Sequence, residues 1–248
     1  MWLWPRGLLS LVQRRVRRRL AIGALWIAAA ACSSRDVAGP TSSARDEQPQ
    51  LASQPAREGQ AGARPRHALV VGGTGMLSQV SLELARRGYT TSVIARRREP
   101  LERLAQESGG RIHPMALDYG HADQLASELE EAVRAHGPIE LVVAWIHSNA
   151  PEAPLAVART AAGGHAVDYF HVLGSAADDP SQPDESRRAG FEAISGLVYH
   201  EVILGFAIED GSSRWLTDEE ISTGVLAAID RREPRWIVGT TRPWSARP

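Results

Sequence analysis

From His67 onward, apolar and polar positions fall into alternating blocks, and each block predicts one element. A short apolar run at 68–71 reads as a buried strand. Glycines follow at Gly72, Gly73 and Gly75, and then Met76, Leu77, Val80, Leu82, Leu84 and Ala85 recur at helical spacing. That spacing predicts a helix over 76–87, stopped by Gly88. A second strand is expected at 90–95 and a helix at 101–106. A third strand at 111–117 leads to a helix over 121–136, with Leu125, Leu129 and Val133 on its buried face and Gly137-Pro138 at its end. Residues 139–146, IELVVAWI, are almost continuously apolar, as a central parallel strand buried on both faces should be. A helix over 151–162, a fifth strand at 166–173 and a polar loop over 176–190 come next. A sixth strand at 198–208 has Gly205 near its end. Thr217-Asp218-Glu219-Glu220 is a capping box that opens a helix to about residue 232, and 235–240 is a last short strand. Strands alternating with helices predict a parallel sheet with helices on both faces.

The turn after the first strand carries candidate chemistry. A strand feeding a helix through glycines is the opening of a dinucleotide-binding βαβ unit, because a pyrophosphate must approach the backbone closely. The helix N-terminus then presents unpaired N–H groups to the anion. The spacing here is Gly72-x-x-Gly75-x-x-Ser78, with serine in place of the third glycine. The fold class that follows is α/β: a Rossmann-like doubly wound parallel sheet, three layers α/β/α, in a single domain over 66–243, with 244–248 as a tail. The second strand ends in Arg96, Arg97 and Arg98. An acidic residue near that strand end would bind a ribose 2′-hydroxyl. Arginine there suits a 2′-phosphate through planar, charge-assisted hydrogen bonds, which favours NADP over NAD.

The first 65 residues follow a different pattern. Six arginines and no acid precede an apolar run at 20–31, which ends at Cys32. A basic segment, a short apolar stretch and small residues form a secretory-signal pattern, and Ala30-Ala31-Cys32 is similar to a bacterial lipoprotein signal, which implies a lipid anchor at Cys32. Residues 33–65 are rich in Ser, Ala, Gln, Pro, Gly and Arg and read as a disordered linker. Two accounts stand side by side: 1–32 as a signal that exports and anchors the protein, or a start assigned too far upstream on a cytoplasmic one. The single cysteine excludes an internal disulfide and a cysteine-built metal site. Net charge is −1, so bulk charge points to no nucleic-acid partner. The eight histidines show no metal-binding spacing and Gly-x-Ser-x-Gly is absent, which leaves neither a metal centre nor a hydrolase elbow. All 28 basic residues are arginine, so no mechanism here can use lysine.

The loop GGTGML, the strand ends VIARR and LDY, the strand LVVAWIHSNA, the strand end HVLGS and the capped final helix before RWIVGT together resemble the short-chain dehydrogenase/reductase superfamily over 66–240. The resemblance implies that Gly72, Gly73, Thr74, Gly75, Met76 and Leu77 follow the pyrophosphate and that Arg96 and Arg97 meet the 2′-phosphate. It implies that Asp118 and Tyr119 lie by the adenine and that Ala144 and Trp145 line the nicotinamide ribose. Ser175 takes the place of the family's catalytic serine. That family places Tyr-x-x-x-Lys on a helix after the serine, so that lysine lowers the tyrosine pKa. Here Tyr199 has Ile203 four residues on and sits in a strand pattern, and Ala144-Trp145-Ile146-His147 replaces Asn-Asn-Ala-Gly. The tyrosine mechanism therefore does not transfer, and the chain reads as an atypical member. His147 is the candidate acid or base, because imidazole titrates near neutrality unaided. Ser175 is the candidate partner of a carbonyl oxygen. Two functions follow: NADPH-dependent reduction of a small carbonyl or enone, or NADP binding by a regulatory sensor without turnover. Trp236 and Trp244 are placed to close the domain or to form a homo-oligomer surface.

Overall fold

A computed structural model describes residues 66–174 and 184–248 of the chain. The signal-like segment, Cys32, the linker and Ser175 lie outside the described residues. The elements run β1 (Arg66–Val71), α1 (Ser78–Arg86), β2 (Tyr89–Ala95), α2 (Arg98–Glu107), β3 (Ile112–Ala116), α3 (Ala122–His136), β4 (Ile139–Trp145), α4 (Ala153–Ala162) and β5 (Val167–Gly174). They continue with α5 (Glu185–Glu192), β6 (Leu197–Leu204), β7 (Phe206–Glu209), β8 (Ser212–Trp215), α6 (Asp218–Arg231) and β9 (Arg235–Val238), before a 3₁₀ turn at Trp244–Ala246.

Seven strands form one parallel sheet in the order β3-β2-β1-β4-β5-β6-β9. Alternate residues of each strand point to opposite faces, and two apolar cores result. Ala68, Val70, Val93, Val143, Phe170 and Val202 pack against α1, α2 and α6. Leu69, Val71, Ile94, Val142, Tyr169 and Tyr199 pack against α3, α4 and α5. This is the expected doubly wound three-layer fold. The chain runs β1 to β2 to β3 on one side, then crosses to β4 on the other side of β1. The crossover opens a crevice at the C-terminal ends of β1 and β4, where such sheets bind ligands.

Three segments depart from the sequence pattern. Residues 185–192, read as part of a polar loop, form α5. Asp184 caps it by accepting the Arg187 N–H at 3.0 Å, and its one large apolar residue, Phe191, stacks on the Tyr199 ring at 4.3 Å. A single apolar anchor leaves too little periodicity to read. The sixth strand is broken at Gly205, where a side chain would collide with the Thr240 carbonyl oxygen. Beyond the break β7 turns back on β8 as an antiparallel hairpin through Asp210 and Gly211, both at positive φ. That Asp-Gly pair is a hairpin signal. Finally, α1 starts at Ser78 rather than Met76, because residues 72–77 are spent on the turn.

The capping box holds as read. The Thr217 hydroxyl accepts from the Glu220 N–H at 3.2 Å, and the Glu220 carboxylate accepts from the Thr217 N–H at 2.8 Å. The Arg214 guanidinium binds Glu220 through both nitrogens at 2.8 Å and also grips Glu209. It thus fixes the β7–β8 hairpin to the start of α6. Hydrogen bonds from Arg214 and Thr217 hold the Glu220 carboxyl down at about 2.

Candidate nucleotide-binding cleft

The strand ends converge on a cleft of about 650 Å³, lined by Gly72, Thr74, Gly75 and Met76 after β1, and by Ala95, Arg96 and Arg97 after β2. Tyr119 from beyond β3, Trp145 at the end of β4, His147 from beyond it, and Asp218 from α6 complete it. A second hollow of about 470 Å³ adjoins it, with Arg96, Asp118, Tyr119 and His147 in its wall. Gly72 has φ +78°, a left-handed conformation that favours glycine, and a side chain there would come within 2.7 Å of the Trp145 carbonyl oxygen. Gly75 instead faces open space. The N-cap of α1, Leu77, supplies no side-chain hydrogen bond, and no acid lies in the first turn. The Ser78 N–H is spent on the Gly75 carbonyl at 2.8 Å, and the first turn of α1 meets no side-chain acceptor and carries the partial positive charge of a helix start.

Arg96 and Arg97 are exposed and form no ion pair among the described residues. They are free to engage an anion. The Asp118 carboxylate accepts the Gly120 N–H at 2.9 Å, which shapes the turn after β3. Tyr119 is buried, and its hydroxyl oxygen accepts the His147 N–H at 3.4 Å, which ties the ends of β3 and β4 together. His147 itself is exposed on the cleft wall.

Three residues assigned to the cofactor on sequence do not bring side chains to the cleft. Leu77 and Ala144 are fully buried in the two cores. Ala144 falls on the opposite sheet face from Trp145 because strand residues alternate. Gly73 packs under the turn, where a side chain would come within 2.6 Å of both the Ser81 hydroxyl and Val93. Two lining residues went unread, Ala95 and Asp218. Asp218 carries no local signal beyond the capping box. It reaches the cleft because the Ser222 hydroxyl, one turn later on α6, donates to the Met76 carbonyl at 2.6 Å and clamps the helix to the glycine turn.

Trp145 has an unexpected position. A side chain at Gly72 would lie 3.4 Å from its Cδ1, and one at Gly174 would lie 2.8 Å from its Cη2. The indole therefore spans the top of β4 from the end of β1 to the end of β5. His147 stands edge-on to it, with ring centroids 5.7 Å apart.

Tyr199 is far from free. It lies in β6, stacked on Phe191, with its hydroxyl 3.0 Å from Nδ1 of the buried His171. Burial, with the Glu201 carboxylate nearby, pushes its phenol well above the ordinary range. Burial, with Arg187 close by, pushes His171 down to about 3. Glu201, also buried, is held by Arg188 at 2.9 Å, with Arg187 and Arg235 at 3.8 and 4.0 Å. None of these groups lines the cleft.

No family model and no curated protein match the sequence. Solved structures do match the fold. A short-chain type dehydrogenase/reductase from Mycobacterium marinum is 17% identical, covers 72% of this chain and 95% of its own, and superposes with a TM-score of 0.55. A bulky-bulky ketone specific alcohol dehydrogenase from Comamonas testosteroni is 15% identical over 74% of this chain and 90% of its own, with a TM-score of 0.52. A short-chain dehydrogenase from Sphingobium yanoikuyae, solved in complex with NADPH, is 16% identical over 73% of this chain and 91% of its own, with a TM-score of 0.51. The chain has the fold of the short-chain dehydrogenases/reductases, and these structural neighbours are oxidoreductases.

Proposed function

We propose that this chain binds NADP(H) in the strand-end cleft and works as an oxidoreductase of the short-chain dehydrogenase type on a small carbonyl or enone. The observation that carries the binding is the meeting, in one cleft, of an open glycine turn, a helix start with no side-chain cap and no acid, and two arginines that form no ion pair among the described residues. The groups fit the adenosine end of the cofactor. Thr74, Gly75 and Met76 border the pyrophosphate, and Arg96 with Arg97 takes the 2′-phosphate through charge-assisted hydrogen bonds. The NADPH carried by the Sphingobium neighbour supports the same choice.

Bound NADPH would supply a hydride equivalent. His147, exposed on the cleft wall, holds the proton that the carbonyl oxygen needs, and Ser175 is assigned to orient that oxygen. A second reading, a sensor that binds NADP without turnover, is favoured by Tyr199. Its phenol is buried and pushed up, the reverse of the lowered pKa a tyrosine acid requires near neutrality. A cytoplasmic protein fits either reading. The intact mass of the native protein separates it from an exported form lipidated at Cys32.

The deciding experiment titrates the full chain with NADPH and NADH. NADPH should bind more tightly, and Arg96→Ser should weaken it by about tenfold while leaving NADH nearly unchanged. Equal losses for both cofactors refute the 2′-phosphate role, and absence of binding refutes the whole reading. A panel of carbonyl compounds followed at the nicotinamide absorbance band then divides enzyme from sensor. Turnover that survives His147→Ala removes His147 as proton donor.

A further inference from the structure

In a doubly wound sheet a dinucleotide lies across the crevice at the switch point, one nucleotide to each side. The strand order puts Arg96 and Arg97, which follow β2, to one side of that point. The other side of the same cleft is walled by Trp145, at the end of β4, and by Asp218, at the start of α6. That helix lies over the strands beyond β4. Its Ile221 and Val225 belong to the core that holds Val172 and Val202, and a side chain on Gly224 would collide with Val238. The cleft therefore carries opposite charges on its two sides, with the acid on the side away from the adenosine end.

Asp218 is exposed in the cleft and forms no ion pair among the described residues. Arg214, the base nearest to it in sequence, is already held by Glu209 and Glu220. A helix start favours acids in its first turn, and Glu219 and Glu220 meet that preference as well. Of the three, Asp218 alone lines the cleft. It is fixed there by the capping box on one side and by the Ser222 bond to the Met76 carbonyl on the other. Trp145 is half-buried, so part of its ring is open to a ligand in the same cleft. A carboxylate and an indole in one concave site suit an alkylammonium: the acid attracts its charge, and the electron-rich ring face attracts it again while covering its carbon atoms.

We propose that the substrate end of the cleft selects carbonyl compounds that carry a positively charged amine, with Asp218 pairing the ammonium and the Trp145 ring forming the wall beside it. The inference rests on the NADP(H)-binding reading above and names the class of its small carbonyl ligand. It holds for a ligand that is turned over and for one that is only sensed, because the charge is read on binding.

The test uses the full chain saturated with NADP and two methyl ketones, acetonyltrimethylammonium and its uncharged isostere methyl neopentyl ketone, which differ by a nitrogen in place of a carbon. In calorimetric titrations the cation should bind about tenfold tighter, a difference of about 1.4 kcal/mol. Asp218→Asn should bring the two ketones within about twofold of each other, and Asp218→Glu, which keeps the charge, should restore part of the preference. Saturating NADP removes any effect of these variants on cofactor affinity from the comparison. Equal binding of the two ketones by the wild-type chain, or a preference that survives Asp218→Asn, overturns the proposal. Failure of both ketones to bind a chain that holds NADP overturns it too, and leaves the nucleotide-binding reading standing. A chain that takes up no NADP removes that reading, and the proposal with it.

Discussion

Single residues decide what the cleft can hold. Gly72 combines a left-handed backbone with a carbonyl packed where a side chain would go. Gly72→Ala should therefore cost about 1–3 kcal/mol of stability, read as a lower urea midpoint with unchanged slope. Gly75 faces open space, so Gly75→Ala should leave that midpoint nearly unmoved and act on ligand affinity instead. Residues of the cleft were legible in the sequence where each lies within three residues of a strand's C-terminal end. Thr74, Arg96, Tyr119 and His147 line the cleft because strand ends deliver them to the C-terminal edge of the sheet. Leu77 and Ala144 sit in the same stretches but belong to the buried side of their elements, and the fingerprint alone does not distinguish loop backbone from loop side chain. Asp218 was out of reach for a different reason. Its placement depends on a contact between Ser222 and Met76, 146 residues apart in the chain, which leaves no trace in local spacing.

At the scale of elements, α6 depends on its start. Its capping box and the Arg214 clasp satisfy donors that would otherwise be lost to water. Thr217→Ala should lower stability by about 1 kcal/mol, measured by thermal unfolding, and should also weaken NADPH binding because Asp218 and Ser222 sit on the turns that follow. A variant that loses stability and keeps full affinity would show that the cleft tolerates a frayed α6. Long periodic elements were visible before folding: α3 and the apolar β4 announce themselves by repeated apolar positions. The short ones were not. In α5 the burial of one phenylalanine against two tyrosines outweighs a sequence of charges. In the sixth strand the break comes from Thr240 crowding Gly205, a neighbour supplied by the far end of the domain.

Across the whole molecule, buried histidines make stability depend on pH. His171 is pushed down to about 3, and burial also lowers His67 and His113. The folded state thus resists protons that the unfolded chain takes up below its ordinary histidine pKa. The stability these groups contribute is complete above about pH 6.5 and is lost as pH falls through and below that value. His171 alone should cost about 2 kcal/mol between pH 7 and pH 5, seen as a falling urea midpoint. His171→Phe should flatten that fall. An equally steep profile in the variant would assign the acid sensitivity elsewhere. The fold class was legible from block alternation because a doubly wound sheet is built from local strand–helix units. The clamp between Ser222 and Met76 is the least local of its parts, and it carries a consequence for synthesis. A ribosome releases the glycine turn early, yet the wall that completes the cleft is made close to the end of the chain. Ligand competence therefore arrives last in translation, so a prematurely terminated product lacking α6 should be unable to capture nucleotide even with its entire fingerprint present.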